Sequence, residues 1–334
     1  MTAQLLVAAM RDPSSVATLD AEGWTALIGV ARAEQMIGSL AHRLEGLTMP
    51  VAAARILADA RASAEQGRTA ALWEAEMARR ALLPLRVPVV LLKGTAFVAA
   101  GLSAGTGRSI GDLDILIPQG AIDRVEAALL AAGWEWVKPD PYDDAYYRQW
   151  MHELPPLIHR NRDRMIDVHH TILPPTARIT PDAEALIADS VALGNGLRIL
   201  SREDILVHAV AHLFADGDLA GGLRNLWDID RLLREFDSAG FVDSLMARAG
   251  HHGLAREMAR ALRLRAAIYG DGARLTAIDR LFRRRLTGRD GWGRQRRKLI
   301  EFAFYLRGHY LRMPPAMLAR HLWTKWRKGY RPAG

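Results

Sequence analysis

The chain has no cysteine in its 334 residues, which excludes disulfides, thiolate metal sites and cysteine nucleophiles together. No apolar run approaches the ~20 residues that a membrane-spanning helix needs. The opening MTAQLLVAAMRDPSS lacks the basic segment that starts a secretory signal. A cytoplasmic protein without a transmembrane segment is expected. Internal repeats and low-complexity linkers are also missing, so the chain is neither a solenoid nor a disordered scaffold. What remains is ordinary globular material, half hydrophobic and a quarter charged.

Charge is abundant but uneven. From Arg280 onward there are 16 Lys and Arg against Asp290 and Glu301, giving +14, so the first 279 residues carry −6. A basic end on an acidic body points to an anionic partner there, an acidic protein or peptide or a nucleic acid. A solvated basic helix face explains the same residues. The segment YLRGHYLRMPPAMLARHLWTKWRKGYR interleaves aromatics with these cations, and Pro314–Pro315 breaks any single long helix there.

Patterning divides the chain into three. Residues 1–84 are Ala-rich with apolar positions at helical spacing. Pro84 and Pro88 end that regime, and VPVVLL (87–92) reads as a buried strand leading into a Gly turn and a short helix at 95–101. DLDILI is a second strand, QGAIDRVEAALLAAG an amphipathic helix and WEWV a third strand. PYDDAYYRQWMHE looks irregular, whereas PPLIHR, an NRD turn and RMIDVHHTIL form a hairpin. After Pro174–Pro175 the pattern is helical, with a Ser-x-x-Asp capping box at 201–204. The expected fold is α+β: a small mixed sheet with flanking helices at 85–175, between an N-terminal helical region (1–84) and a C-terminal helical domain with a basic tail (176–334).

Within this core, GRSIGDLDILI (107–117) poses a chemical problem. A buried carboxylate costs several kcal/mol unless something pairs with it, yet Asp112 and Asp114 open an apolar strand together. Strand alternation puts both on one face, their α-carbons ~6.6 Å apart, close enough to share a divalent cation that supplies the missing charge. Asp167, which also begins an apolar strand, is the best third carboxylate for a two-metal phosphoryl-transfer site. Upstream, LLKGTAF runs a strand into Gly94 and Thr95 at a helix N-terminus, whose free N–H groups can cradle a triphosphate. Lys93 can add a point charge and Arg108 a bidentate phosphate contact. The bland alternatives are a snorkelling Lys93 and an Arg108 paired with Asp112 or Asp114.

These motifs, LLKGTAF, GRSIGDLDILI and IDVHHTIL in that order, resemble the uncharacterised bacterial nucleotidyltransferase family of the polymerase-β-like superfamily. HAVAHLF and LRNLWDIDRLL resemble its C-terminal helical half, so the likeness spans about residues 85–235. It implies a minimal nucleotidyltransferase core that moves an NMP from an NTP, ATP first among the candidates, to an acceptor hydroxyl on a small molecule, peptide or protein, with release of pyrophosphate. It implies Mg²⁺ or Mn²⁺ on Asp112, Asp114 and Asp167, with Asp167 activating the acceptor, and nucleotide held by Lys93, Gly94, Thr95 and Arg108. His169 would share the face of Asp167 and orient the site. Thr95 stands where Ser is commoner, His170 where an aromatic often follows, and the long interval from Gly94 to Asp112 suggests a flap.

Two readings compete. A non-catalytic nucleotide-binding or interaction protein would keep the fold and bind NTP without turnover, but the intact carboxylates argue against it. A His/Asp metal-dependent phosphohydrolase would use His169, His170, His208, His212 and Asp216; it lacks a His-Asp doublet, and His208 and His212 fit core packing as well. GLSAGTGRS has the wrong glycine spacing for a P-loop and Arg108 in place of its Lys. Asp228 and Asp230, two apart on a helix, diverge too far for a second metal pair.

Overall fold

The computed structural model describes residues 3–137, 147, 148, 150–312, 323 and 327. The tail beyond Arg312, other than residues 323 and 327, therefore lies outside the described residues, as does most of the aromatic-rich segment at 141–153.

The N-terminal region is helical as its composition demands. Asp20 caps the helix Ala21–Ala33 by accepting from the Gly23 N–H at 2.8 Å. The 32-residue helix Val51–Leu82 buries Ala53, Leu57, Ala64, Ala71, Ala75, Ala78 and Leu82, a stripe of mostly small residues at helical spacing.

Seven strands form one mixed sheet in the order β3-β4-β5-β2-β1-β7-β6. They are β1 (Val90–Leu91), β2 (Asp112–Leu116), β3 (Trp134–Trp136), β4 (Leu157–His159), β5 (Met165–His169), β6 (Val191–Ala192) and β7 (Arg198–Ile199). β2 lies parallel to β5 and antiparallel to β1. Leu113, Ile115 and Ile117 are at most 2 % exposed, and burial of each contributes about 1.5–3 kcal/mol. A one-residue slip would turn all three outward, so the apolar face fixes the register. That register sets Asp114 directly beside Asp167.

The α+β class and the helical flanks are as expected; three details differ. β1 is two residues long, and the following helix is Lys93–Ala99, so Gly94 and Thr95 lie inside its first turn. The helical pattern expected after residue 175 is interrupted by the β6–β7 hairpin, which joins the sheet beside β1. Its strands are two residues each, β6 exposed and β7 half-buried, too short to show alternation, although Gly194 and Gly196 with positive φ mark the turn. Finally, the glycine-rich interval is clamped rather than flap-like. Ser103 donates to Glu235 from its N–H and its hydroxyl at 2.8 and 2.7 Å. Gly107 (φ +66°) sits where a Cβ would approach the Gly38 backbone to 2.5 Å, a contact and a conformation that only glycine tolerates.

Candidate active site

Asp112, Asp114 and Asp167 meet at one end of the β2–β5 pair, each offering one carboxylate oxygen within 4.8 Å of the others. Asp112 is exposed at the mouth, Asp114 is buried and Asp167 is half-buried. Asp114 survives burial through its partners: Lys93 Nζ donates to its Oδ1 at 2.6 Å and His169 Nε2 lies 3.0 Å from the same oxygen. Burial opposes the charge of Asp114, but Lys93 and His169 outweigh it and hold the carboxyl well below the usual range. Lys93 shows the reciprocal balance, since burial pulls it down while Asp114 carries it above an ordinary lysine. Lys93 adopts φ +49°, strained for a residue with a long side chain, as is common where a chain holds a functional group in place.

Asp167 has no such partner. Burial, then the Asp114 and Glu153 charges, pushes its carboxyl up to about 7, and its Oδ1 is buried without a hydrogen bond. A carboxylate crowded by like charges with an orphaned oxygen is short of a cation, and the three aspartates provide the all-oxygen donor set that Mg²⁺ or Mn²⁺ prefers. The residues therefore fit a hard divalent ion.

Around the aspartates stand the remaining expected residues. Thr95 is buried with its hydroxyl unpartnered. A Cβ on Gly94 would stand 2.7 Å from Arg108 Nε, so glycine there lets the guanidinium pack onto the helix start. Arg108 pairs with neither Asp112 nor Asp114 as its main partner; it is buried against Asp228, with its guanidinium 5.2 Å from the Phe97 ring. The direct phosphate contact expected of Arg108 thus competes with an ion pair to a residue 120 positions away. Lys93, Arg108, His208 and His212 line one narrow cleft. Burial, with the charges of Lys93, His212 and His169 behind it, holds His208 well below an ordinary imidazole, so it stays neutral. Among the described residues neither His208, His212 nor His170 joins a group of potential metal ligands, and the Asp216 side chain lies outside the description. His170 alternates to the other face and has its Nε2 3.2 Å from the Met151 carbonyl oxygen.

Two residues at the site were not anticipated. Glu153 pairs across the strand from His169 and has Oε2 3.4 Å from its Nδ1, which makes it a fourth acid on this face; only the His-Glu just before Pro155–Pro156 could have drawn attention to it. Arg224, in the helix Gly222–Glu235, is held below an ordinary arginine by burial, while the charges of Asp112, then Glu34 and Asp114, pull the other way. Its Nε is buried without a hydrogen-bond partner. Asp228 and Asp230 separate as helix geometry requires: the first holds Arg108, the second Arg231, Arg234 and Arg265.

A small mixed sheet with flanking helices, carrying paired aspartates on the strand after a Gly-Thr helix start, is the architecture of a minimal nucleotidyltransferase core. The model of the family described as uncharacterised nucleotidyltransferase matches residues 20–270, and the chain belongs to that family. The match includes the β6–β7 hairpin and most of the helices that frame the cleft. No curated protein is significantly similar to the chain.

Proposed function

We propose that this nucleotidyltransferase-family protein is an active, metal-dependent enzyme that transfers an NMP from an NTP, with ATP as the first candidate donor, to an acceptor hydroxyl. The observation that carries the reading is the convergence of Asp112, Asp114 and Asp167 from two parallel strands, with the Asp167 oxygen left unsatisfied. Asp112, Asp114 and Asp167 would hold Mg²⁺ or Mn²⁺, which when bound neutralises charge on the reacting phosphates. Gly94 and Thr95, at the start of their helix, offer the donor phosphates backbone N–H groups and the free Thr95 hydroxyl. Lys93 on Asp114 and Arg224 near Asp112 add positive charge, and His169 keeps Asp114 in place. Arg108 takes a supporting part, packed on Gly94 and tied to Asp228. Asp167, once its crowding is relieved, accepts the acceptor's proton as the hydroxyl oxygen bonds to the α-phosphorus. The bond to the bridging oxygen breaks and pyrophosphate leaves. Positioning and charge neutralisation supply most of the rate.

A groove of about 450 Å³ beside Gly107 and Ile110 opens next to the start of β2; its mostly apolar wall carries Arg32, Asp59 and Ser109, which suits an acceptor with an apolar body and polar groups. Arg280, Arg283 and Arg284 are exposed on the helix Ala277–Leu286, which supports an anionic partner at the basic end. The test is calorimetric titration with ATP, GTP, CTP and UTP, with and without Mg²⁺, on the protein and on Asp112→Asn. Metal-dependent binding that the substitution removes is expected and names the donor. Binding without turnover in an acceptor screen would turn the reading to a nucleotide sensor, and no NTP binding by folded protein would overturn it.

A further inference from the structure

We infer that His152, Glu153 and His169 form a second metal site, distinct in donor chemistry from the three aspartates, that takes Zn²⁺. Each residue offers one donor atom, and the three atoms lie within 4.8 Å of one another. Glu153 Oε2 is 3.4 Å from His169 Nδ1 and 4.0 Å from His152 Nε2. Ligands at ~2.0–2.2 Å from a tetrahedral zinc are separated by ~3.3–3.6 Å, so a small adjustment of His152 closes the set. The two imidazole rings lie 5.2 Å apart and 33° from coplanar.

The arrangement is held by backbone. Glu153 pairs with His169 across the strand, Leu154 N–H donates to the Val168 carbonyl at 2.9 Å and His170 N–H to the His152 carbonyl at 2.9 Å. His152 is 8 % and His169 3 % exposed, so neither ring is a surface side chain that met the other by chance.

The tautomer of His169 supplies the independent argument. Its Nε2 is 3.0 Å from Asp114 Oδ1, and a carboxylate there requires Nε2 to carry the proton. The other ring nitrogen, Nδ1, is turned to Glu153 Oε2 at 3.4 Å and is buried with no hydrogen bond. The Glu153 carboxylate faces that nitrogen and the His152 imidazole stands beside it, so the three donor atoms converge as a His₂Glu set. Carboxylate–histidine–metal relays of this kind fix ring orientation and raise ligand basicity. Two nitrogens and one oxygen favour zinc over Mg²⁺, which seeks oxygen donors. Through His169 the ion would also lock Asp114, so the site would order the aspartate cluster whatever reaction that cluster performs.

The experiment is zinc analysis of the purified full-length chain, with X-ray absorption at the zinc edge and Co²⁺ exchange read by its visible bands. About one zinc per chain with two imidazoles in the ligand shell is expected. The Co²⁺ bands should vanish in His152→Ala and Glu153→Gln but persist in Asp112→Asn. An oxygen-only shell, bands lost in Asp112→Asn but kept in His152→Ala, or folded protein that binds neither ion would each overturn the assignment. If His152→Ala does not fold, the ligand shell of the unaltered protein decides alone.

Discussion

Asp204, Asp230 and Asp279 in the C-terminal helices and Asp114 on the sheet are all 2 % exposed or less, and each has a cationic partner, yet the acids that stand beside them differ. In the helical half these three buried acids are saturated with cations. Asp230 takes Arg231, Arg234 and Arg265, Asp279 takes Arg260 and Arg263, and Asp204 takes Arg248 with His252 at 3.3 Å. At the sheet the ratio inverts. Asp112, Asp114 and Asp167 crowd one face, and although Lys93 and His169 hold Asp114, Asp167 beside it has a buried oxygen with no hydrogen bond. Saturated acids tie elements together; Asp167, which the register holds beside Asp114, is the acid left short of a counter-charge. Burial alone distinguishes nothing here. The count of opposing charges does.

The sharpest break in this comparison is substitution without change of shape. Asp112→Asn and Asp114→Asn should each lower nucleotidyl transfer by about a thousandfold or more and leave the circular dichroism spectrum unaltered. Asp230→Asn should do the reverse: about 3–5 kcal/mol of stability lost, seen as a lower denaturant midpoint, with turnover per folded molecule preserved. If Asp230→Asn instead abolished turnover in folded protein, the division into structural and functional acids would fail.

Arg224 tests which side of the comparison a cation belongs to. Arg224→Met should raise the NTP KM by about 10–100-fold, the worth of a hydrogen bond between charged groups, and should not lower the melting temperature. The next difference is in pH. Asp167, crowded up to about 7, must lose its proton to bind a cation, so Mg²⁺ affinity should fall about tenfold per unit as pH drops below 7 and level off above it; calorimetry checks this. Asp279 runs the other way. Although burial opposes its charge, Arg263 and the Thr276 cap hold the carboxyl down to about 2 against an ordinary 3.8. Its stabilising contribution is therefore complete above pH ~4 and lost as pH falls toward 2. Asp279→Asn should flatten that acid limb of the stability curve, the smallest effect of the series.

Local sequence determined the parts of the site that period-two alternation and short motifs govern. Asp112 and Asp114 share a face because Leu113, Ile115 and Ile117 must share the other, and Gly94 and Thr95 fall in the first turn of the helix that opens at Lys93, just after the apolar strand. Asp167 was legible as a third acid because it opens another apolar strand. Tertiary structure alone decided what faces those residues. The parallel β2–β5 register sets Asp114 beside Asp167, a pairing 53 positions apart in the chain. Arg108 goes to Asp228, Arg224 is drawn toward Asp112 from a helix, and Glu153 and His152 come beside His169 from a segment with no recognisable pattern. Likewise β6 and β7, two residues each, acquire their hydrogen bonds only from one another and from β1. The physical reason is common to all of them. Alternation and capping are set by neighbours within a few residues, whereas electrostatic compensation depends on distance in space, which exists only once the sheet and its helices have packed.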